Sequence, residues 1–282
     1  MDLAYWGFAH WPFQPRRNCN LSPHGTAQEE ALARLLFLID ERRQFGALTG
    51  AAGTGKSCLL QLAKTYSQRH GHKSMVVDAS GMEGSEFAAS VANEALGGDE
   101  IDVDPTRCWP RIQQQLRALA LISQPATVLI DHFDLAAESL AGSIRRLTNL
   151  SAQAGAELTI LVSARTPQQV SELRDEMDLC VELAGWSADE TSQFIMSRLQ
   201  AAGANTTIFL PDAVSHVHAL AGGNPAQVIR ICDLALLATM NDGQHEVDGA
   251  IVEAAVAELS PIRVGAANPV KPHQRLESKT MV

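Results

Sequence analysis

Short, unbroken apolar runs separated by longer stretches of helical period mark residues 26–185 of this chain. The runs fall at 45–49, 74–78, 126–131 and 157–163, bounded by turn residues or charges. A strand that is apolar at every position, and not at every second one, is buried on both faces, the condition of a parallel sheet between two helical layers. Residues 26–43, 56–69, 85–96, 109–122 and a stretch ending near 154 repeat at helical spacing. Thr26-Ala27-Gln28-Glu29 has the pattern of a capping box at the first helix. The segment 97–105 is acidic and loop-like. Residues 26–185 therefore predict an α/β domain.

After about Trp186 the strand pattern stops. Residues 187–202, 211–220, 225–240 and 247–259 all read as helices, which predicts a small all-helical domain over 186–260. The opening segment, 1–25, is crowded with Tyr5, Trp6, Phe8, Trp11 and Phe13 in neither period, so it reads as an extended lead-in packed onto something larger. Residues 261–282 carry Pro269, Pro272 and little apolar content, and are expected to be a disordered polar tail.

Composition narrows the function classes. Apolar residues are 46% of the 282 and charged residues 19%, enough apolar material for real cores. A net charge of −10 with no run of Lys and Arg offers no footprint for a nucleic-acid backbone, so a nucleic-acid partner is not expected. The five cysteines are scattered and never form C-x-x-C, which argues against a disulfide framework or zinc site and for reduced thiols. No apolar run reaches the roughly 20 residues that a membrane helix needs. The first residues lack a basic-then-apolar signal pattern. A cytoplasmic protein without a membrane segment is the expectation.

One motif carries most of the chemistry. Gly50-Ala51-Ala52-Gly53-Thr54-Gly55-Lys56-Ser57 is a full G-x-x-x-x-G-K-[ST] phosphate-binding loop, or P-loop. Glycines let backbone amides close around phosphates, and the following helix adds the positive end of its dipole. The competing reading, a chance glycine-rich turn, is opposed by the strand expected before the loop and the helix after it. ATP with Mg²⁺ is the implied ligand. Its phosphate contacts are Gly50, Ala51, Ala52, Gly53, Thr54, Gly55, Lys56, Ser57 and Cys58, with Lys56 on the outer phosphates and the Ser57 hydroxyl on the metal.

Thr127-Val128-Leu129-Ile130-Asp131 reads as the matching strand that ends on a metal-associated carboxylate, Asp131. The next position is decisive for hydrolysis, and it is His132, with Asp134 two further on. His132 as a neutral base, Asp134 as a substitute carboxylate, and a site that binds without efficient turnover all remain open. Ser163, followed by Arg165, ends the last strand, either to sense the terminal phosphate or simply to close the strand before Pro167.

At this point the chain resembles a known family. Tyr5, Phe8 and Pro12-Phe13, the P-loop, Asp131 and Leu183-x-x-Trp186-Ser187-x-x-Glu190-Thr191 look like the ExeA-type (general secretion pathway protein A-like) AAA+ ATPases. Ala202-Gly203-Ala204 and Gly222-Gly223-Asn224-Pro225 extend the likeness over most of residues 1–260. It implies a P-loop NTPase fold of AAA+ type with a helical lid, ATP in the cleft between them, homo-oligomers and a protein partner. It also implies that the aromatic lead-in lies near the adenine, although these side chains also suit plain core packing. Relatives of the secretion type carry a membrane helix and a periplasmic region after the ATPase, where this sequence has a short polar stretch.

Three departures stand out. His132 occupies the family's glutamate position, and Ala226 follows Pro225 where an arginine is usual, with Arg230 one helical turn on as a partial substitute. Asp178-Leu179-Cys180 stands where a third arginine is common. The expected function is an ATPase of the bacterial cytoplasm that couples Mg-ATP binding and slow or partner-dependent hydrolysis to remodelling of a protein. The alternatives are a hydrolysis-deficient nucleotide-gated switch, a DNA-associated helper ATPase and, least in keeping with the lid motif, a small-molecule kinase.

Overall fold

The computed structural model describes residues 2–13, 25–95 and 105–258. The expected tail 261–282, most of the 97–105 loop and the second half of the lead-in lie outside these. Five strands form one parallel sheet: β1 (Phe45–Thr49), β2 (Lys73–Asp78), β3 (Ala126–Asp131), β4 (Leu158–Ala164) and β5 (Leu179–Glu182). Their order is β2-β3-β4-β1-β5. The connecting helices are α2 (Thr26–Asp40), α3 (Lys56–Arg69), α4 (Gly84–Ser90), α5 (Pro105–Leu121) and α6 (Ser139–Ala154), after a short α1 (Leu3–Trp6).

The unbroken apolar strands are explained by two cores. Ile160 and Val162 of β4 join Phe45, Val128, Phe87, Ile112 and Ile144 on one face of the sheet. Leu161, between them, joins Leu48, Leu129, Leu35, Leu38, Leu59 and Leu60 on the other. Each such side chain contributes about 1.5–3 kcal/mol when fully buried. Helices α2 and α3 therefore cover one face, and α4, α5 and α6 the opposite one.

Helices α7 (Ala188–Ala201), α8 (Pro211–Ala221), α9 (Pro225–Asn241) and α10 (Gly249–Glu258) follow, near the positions that their periodicity predicts. Their core includes Phe194, Phe209, Val217 and Leu236, and takes in Phe8, Trp11 and Phe13 from the lead-in. The Trp11 indole donates to Asp233 at 2.5 Å, and Phe13 lies 6.0 Å from Phe209. Arg198 donates to the Pro12 carbonyl at 2.9 Å. Residues 2–13 thus belong with the helical lid, and Leu3–Trp6 is helical, capped by the Asp2 carboxylate and stopped by Gly7 at φ 67°.

Four expectations are corrected. Strand β5 was not legible, because an edge strand needs burial on one side only, and its Cys180 and Glu182 are exposed. The capping box at Thr26 does not form; the cap is Gly25, and Thr26 gives both amide and hydroxyl to Glu190 of α7, a stronger acceptor brought by the fold. Helix α5 begins at Pro105, four residues before the expected start at 109, and carries Pro110 in its second turn. Cys58, expected as a free thiol, is disulfide-bonded.

Candidate functional site

Strand β1 delivers the chain into the loop at Gly50, and α3 begins at Lys56. Gly50, Gly53 and Gly55 have φ of 151°, 86° and 104°, backbone that a side chain rarely adopts. A Cβ on Gly53 would also lie 2.5 Å from the Asn224 amide oxygen and 2.9 Å from Ala226 Cβ. The Gly50 amide is fixed by the Arg165 carbonyl just after β4. Lys56 is buried and curls back so that Nζ donates to the Gly50 and Ala51 carbonyls at 2.6 and 2.9 Å. Burial lowers its pKa, while the carboxylates of Asp134 and Asp131 oppose that. Ser57 is exposed at the same helix start, and Cys58 follows it half-buried.

Asp131 ends β3, buried, with two donors on Oδ1: the hydroxyl of Ser163 and the His132 amide at 3.1 Å. Ser163 is itself fully buried on β4, and its oxygen also accepts the His132 amide at 3.1 Å. The serine at the end of this strand therefore holds the carboxylate at the end of the next. His132 sits at φ 56°, a left-handed conformation uncommon for residues other than glycine, although histidine enters it more readily than most. Its Nδ1 lies 3.1 Å from Asp78 Oδ1 and 3.8 Å from Asp131 Oδ2. Asp78 stays well below the usual carboxylate range, first through the Ser80 hydroxyl and amide and then through His132. A carboxylate acceptor at Nδ1 gives that nitrogen the proton and leaves Nε2 as the basic one.

Asp134 lies near Lys56, where its charge raises the lysine pKa more than Asp131 does, but its side chain is enclosed. Only 2% of its side chain is exposed, and Arg165 Nε pairs with it at 3.1 Å. Arg230 is exposed on α9, one turn beyond Ala226. Ala226 itself meets the P-loop, its amide donating to the Gly53 carbonyl at 3.2 Å. Sequence reasoning missed two neighbours, Asp78 and Asn224. Asp78 ends β2 in register with Asp131, and a second aspartate at a strand end was the signal available. Nothing in the residue order marks Asn224 as a loop contact.

The donor set fits a nucleotide. Three glycines open a turn that side chains would fill, a buried ammonium lies beneath it, and a long helix starts there. The Asp131 carboxylate and the Ser57 hydroxyl are the hard oxygen donors that Mg²⁺ prefers.

Known proteins bear on this arrangement. Residues 39–169 match the model of a family described as AAA domain. General secretion pathway protein A of Aeromonas hydrophila is 27% identical over 274 residues, 93% of this chain and 49% of that protein. The chain is similar to general secretion pathway protein A and carries an AAA domain match over its α/β part. It spans about half the length of that relative. Solved structures agree on the fold. The Aeropyrum pernix ORC1 protein in complex with DNA has a TM-score of 0.67 at 18% identity, over 88% of this chain and 69% of that one. Cdc6p from Pyrobaculum aerophilum has a TM-score of 0.70 at 13% identity, over 92% and 71%. Among the described residues, no helix is long and apolar enough to cross a membrane.

Proposed function

We propose that this chain is an ATPase that binds Mg-ATP in its P-loop and couples occupancy, with slow or partner-dependent hydrolysis, to movement of the helical lid against a protein partner. The observation that carries this is the buried Lys56 under the 50–55 turn, beside an Asp131 held in place by Ser163. Lys56 would exchange its two loop carbonyls for phosphate oxygens, and the amides of Gly53, Thr54 and Gly55 would surround them. Ser57 and Asp131 would hold Mg²⁺, which when bound neutralises charge on the phosphate oxygens.

Of the two candidates for activating water, we favour His132. Asp134 is enclosed beside the Arg165 guanidinium, whereas His132 is 42% exposed and its ring is oriented by Asp78. A single imidazole in a strained turn, with no arginine at position 226, suits slow chemistry. An arginine on the transferring group is worth about 10³–10⁵ in rate in related systems. The net charge of −10 makes a protein partner, or a second copy of this chain, a better fit than DNA. A nucleotide-gated switch is the second reading, favoured by that same histidine.

Steady-state phosphate release with Mg-ATP, beside Lys56→Ala, tests the proposal. Lys56-dependent release, slower than the ~1 s⁻¹ that marks the lower end of typical enzymes, supports it. Bound ATP with no Lys56-dependent release, even with cell extract added, selects the switch. No ATP binding at all refutes both.

A further inference from the structure

The carbonyls of the P-loop's outer turn are held from the lid. Asn224, ahead of α9, divides its amide between two tasks. Its oxygen accepts the Ala226 and Gln227 amides at 3.1 and 3.3 Å and so caps α9. Its nitrogen donates to the Ala52 carbonyl at 2.7 Å. One residue on, the Ala226 amide donates to the Gly53 carbonyl at 3.2 Å. The contact is close enough that Gly53 has no space for a Cβ. The turn carrying Asn224 is itself fixed from behind, because Trp186 donates its amide to the Gly223 carbonyl at 2.7 Å.

In a trans peptide the C=O and N–H of one unit point in opposite directions. Pulling the Ala52 and Gly53 carbonyls toward the lid therefore turns the Gly53 and Thr54 amides toward the inside of the loop. The Thr54 amide does point inward, at the Ala51 carbonyl that also receives Lys56 Nζ. We infer that Asn224 is a positioning residue of the phosphate site: the lid, through this side chain and the Ala226 amide, aims the P-loop amides that receive phosphate. It rests on the nucleotide reading above. The role is distinct from that of an arginine reaching the nucleotide, since Asn224 acts on the loop and touches no phosphate.

The test is Asn224→Ser, which keeps a capping oxygen for α9 and removes the donor to Ala52. Two readouts separate the steps. Hydrogen exchange on the nucleotide-free protein should show faster exchange across residues 51–55 while α9 stays protected. Calorimetric titration with Mg-ADP should show an affinity about five- to tenfold weaker, the worth of about one hydrogen bond. Unchanged exchange in the loop overturns the clamp whatever the protein binds. Faster exchange with wild-type Mg-ADP affinity overturns its role in the phosphate site. A wild-type protein that takes up no Mg-ADP refutes the nucleotide reading, and this role with it.

Discussion

Glu190 ties the start of α2 to the start of its own helix with one carboxylate, and its charge should be visible in stability. Oε1 accepts the Thr26 amide at 2.6 Å and the Thr26 hydroxyl at 2.7 Å; Oε2 accepts the Ser187 amide at 2.8 Å. The bond from the Ser187 amide, followed by those from Thr26, lowers its pKa from 4.5 to about 2. Unscreened, that drop corresponds to about 3 kcal/mol of stability. Glu190 is half-buried with water on its open side, so about 1 kcal/mol is the expected net value after screening. The folded pKa is depressed, so the contribution is complete above 4.5 and fades as pH falls toward 2. Glu190→Gln keeps the size, removes the charge and turns an NH₂ against donors. In urea denaturation the variant should be about 1 kcal/mol less stable at pH 7. The gap between the two proteins should then narrow steadily from pH 4.5 to pH 2. A deficit that stays constant with pH would refute the electrostatic account and leave only lost packing.

Three other outcomes follow from single contacts. Gly223→Ala places a Cβ 2.2 Å from the Trp186 carbonyl at φ 70°, so thermal melts should show a loss of about 2 kcal/mol or more. Ser163→Ala removes the hydroxyl from Asp131, and Mg-ATP affinity should fall about fivefold with metal-free ATP binding unchanged in parallel titrations. His132→Glu restores a carboxylate at the water-activating position and should raise Lys56-dependent phosphate release; an unchanged rate would show that chemistry is not limited there.

The α/β part was legible where residues obey one physical rule. Ile160, Leu161 and Val162 are apolar in succession because two helical layers compete for them, and that pattern survives in the bare sequence. Lys56 and its glycines were legible for a similar reason, since only that spacing puts backbone amides around a phosphate. Strand β5 carries no such mark: its Leu179 and Val181 face inward and its other two residues face water, which four residues cannot announce. Thr26 misled because a capping box is a local pattern, and Glu190, 164 positions away, outcompetes the local acceptor. Asp134 looked available for the same reason. Its fate is set by Arg165, on a neighbouring strand end that only the sheet order brings near.

The lid, by contrast, was readable as helices but not as a neighbour of the loop. Its attachment to the loop runs through the Ala226 amide to the Gly53 carbonyl and the Asn224 side chain to the Ala52 carbonyl. Backbone hydrogen bonds leave a trace in sequence only where they forbid a side chain. Here that trace is Gly53 and Gly223, each with positive φ and no room for a Cβ. Gly53 marks where the lid presses on the loop, and Gly223 where the turn carrying Asn224 is held against Trp186. A change in the loop's shape on one side must therefore move Asn224 and α9 on the other, or break the bonds between them. On the proposed reading either response would convert phosphate occupancy into lid position, the step that a remodelling ATPase and a nucleotide-gated switch both need. The clamp at Asn224 would serve both, so the His132 turn and the missing arginine at position 226 are where the two readings part.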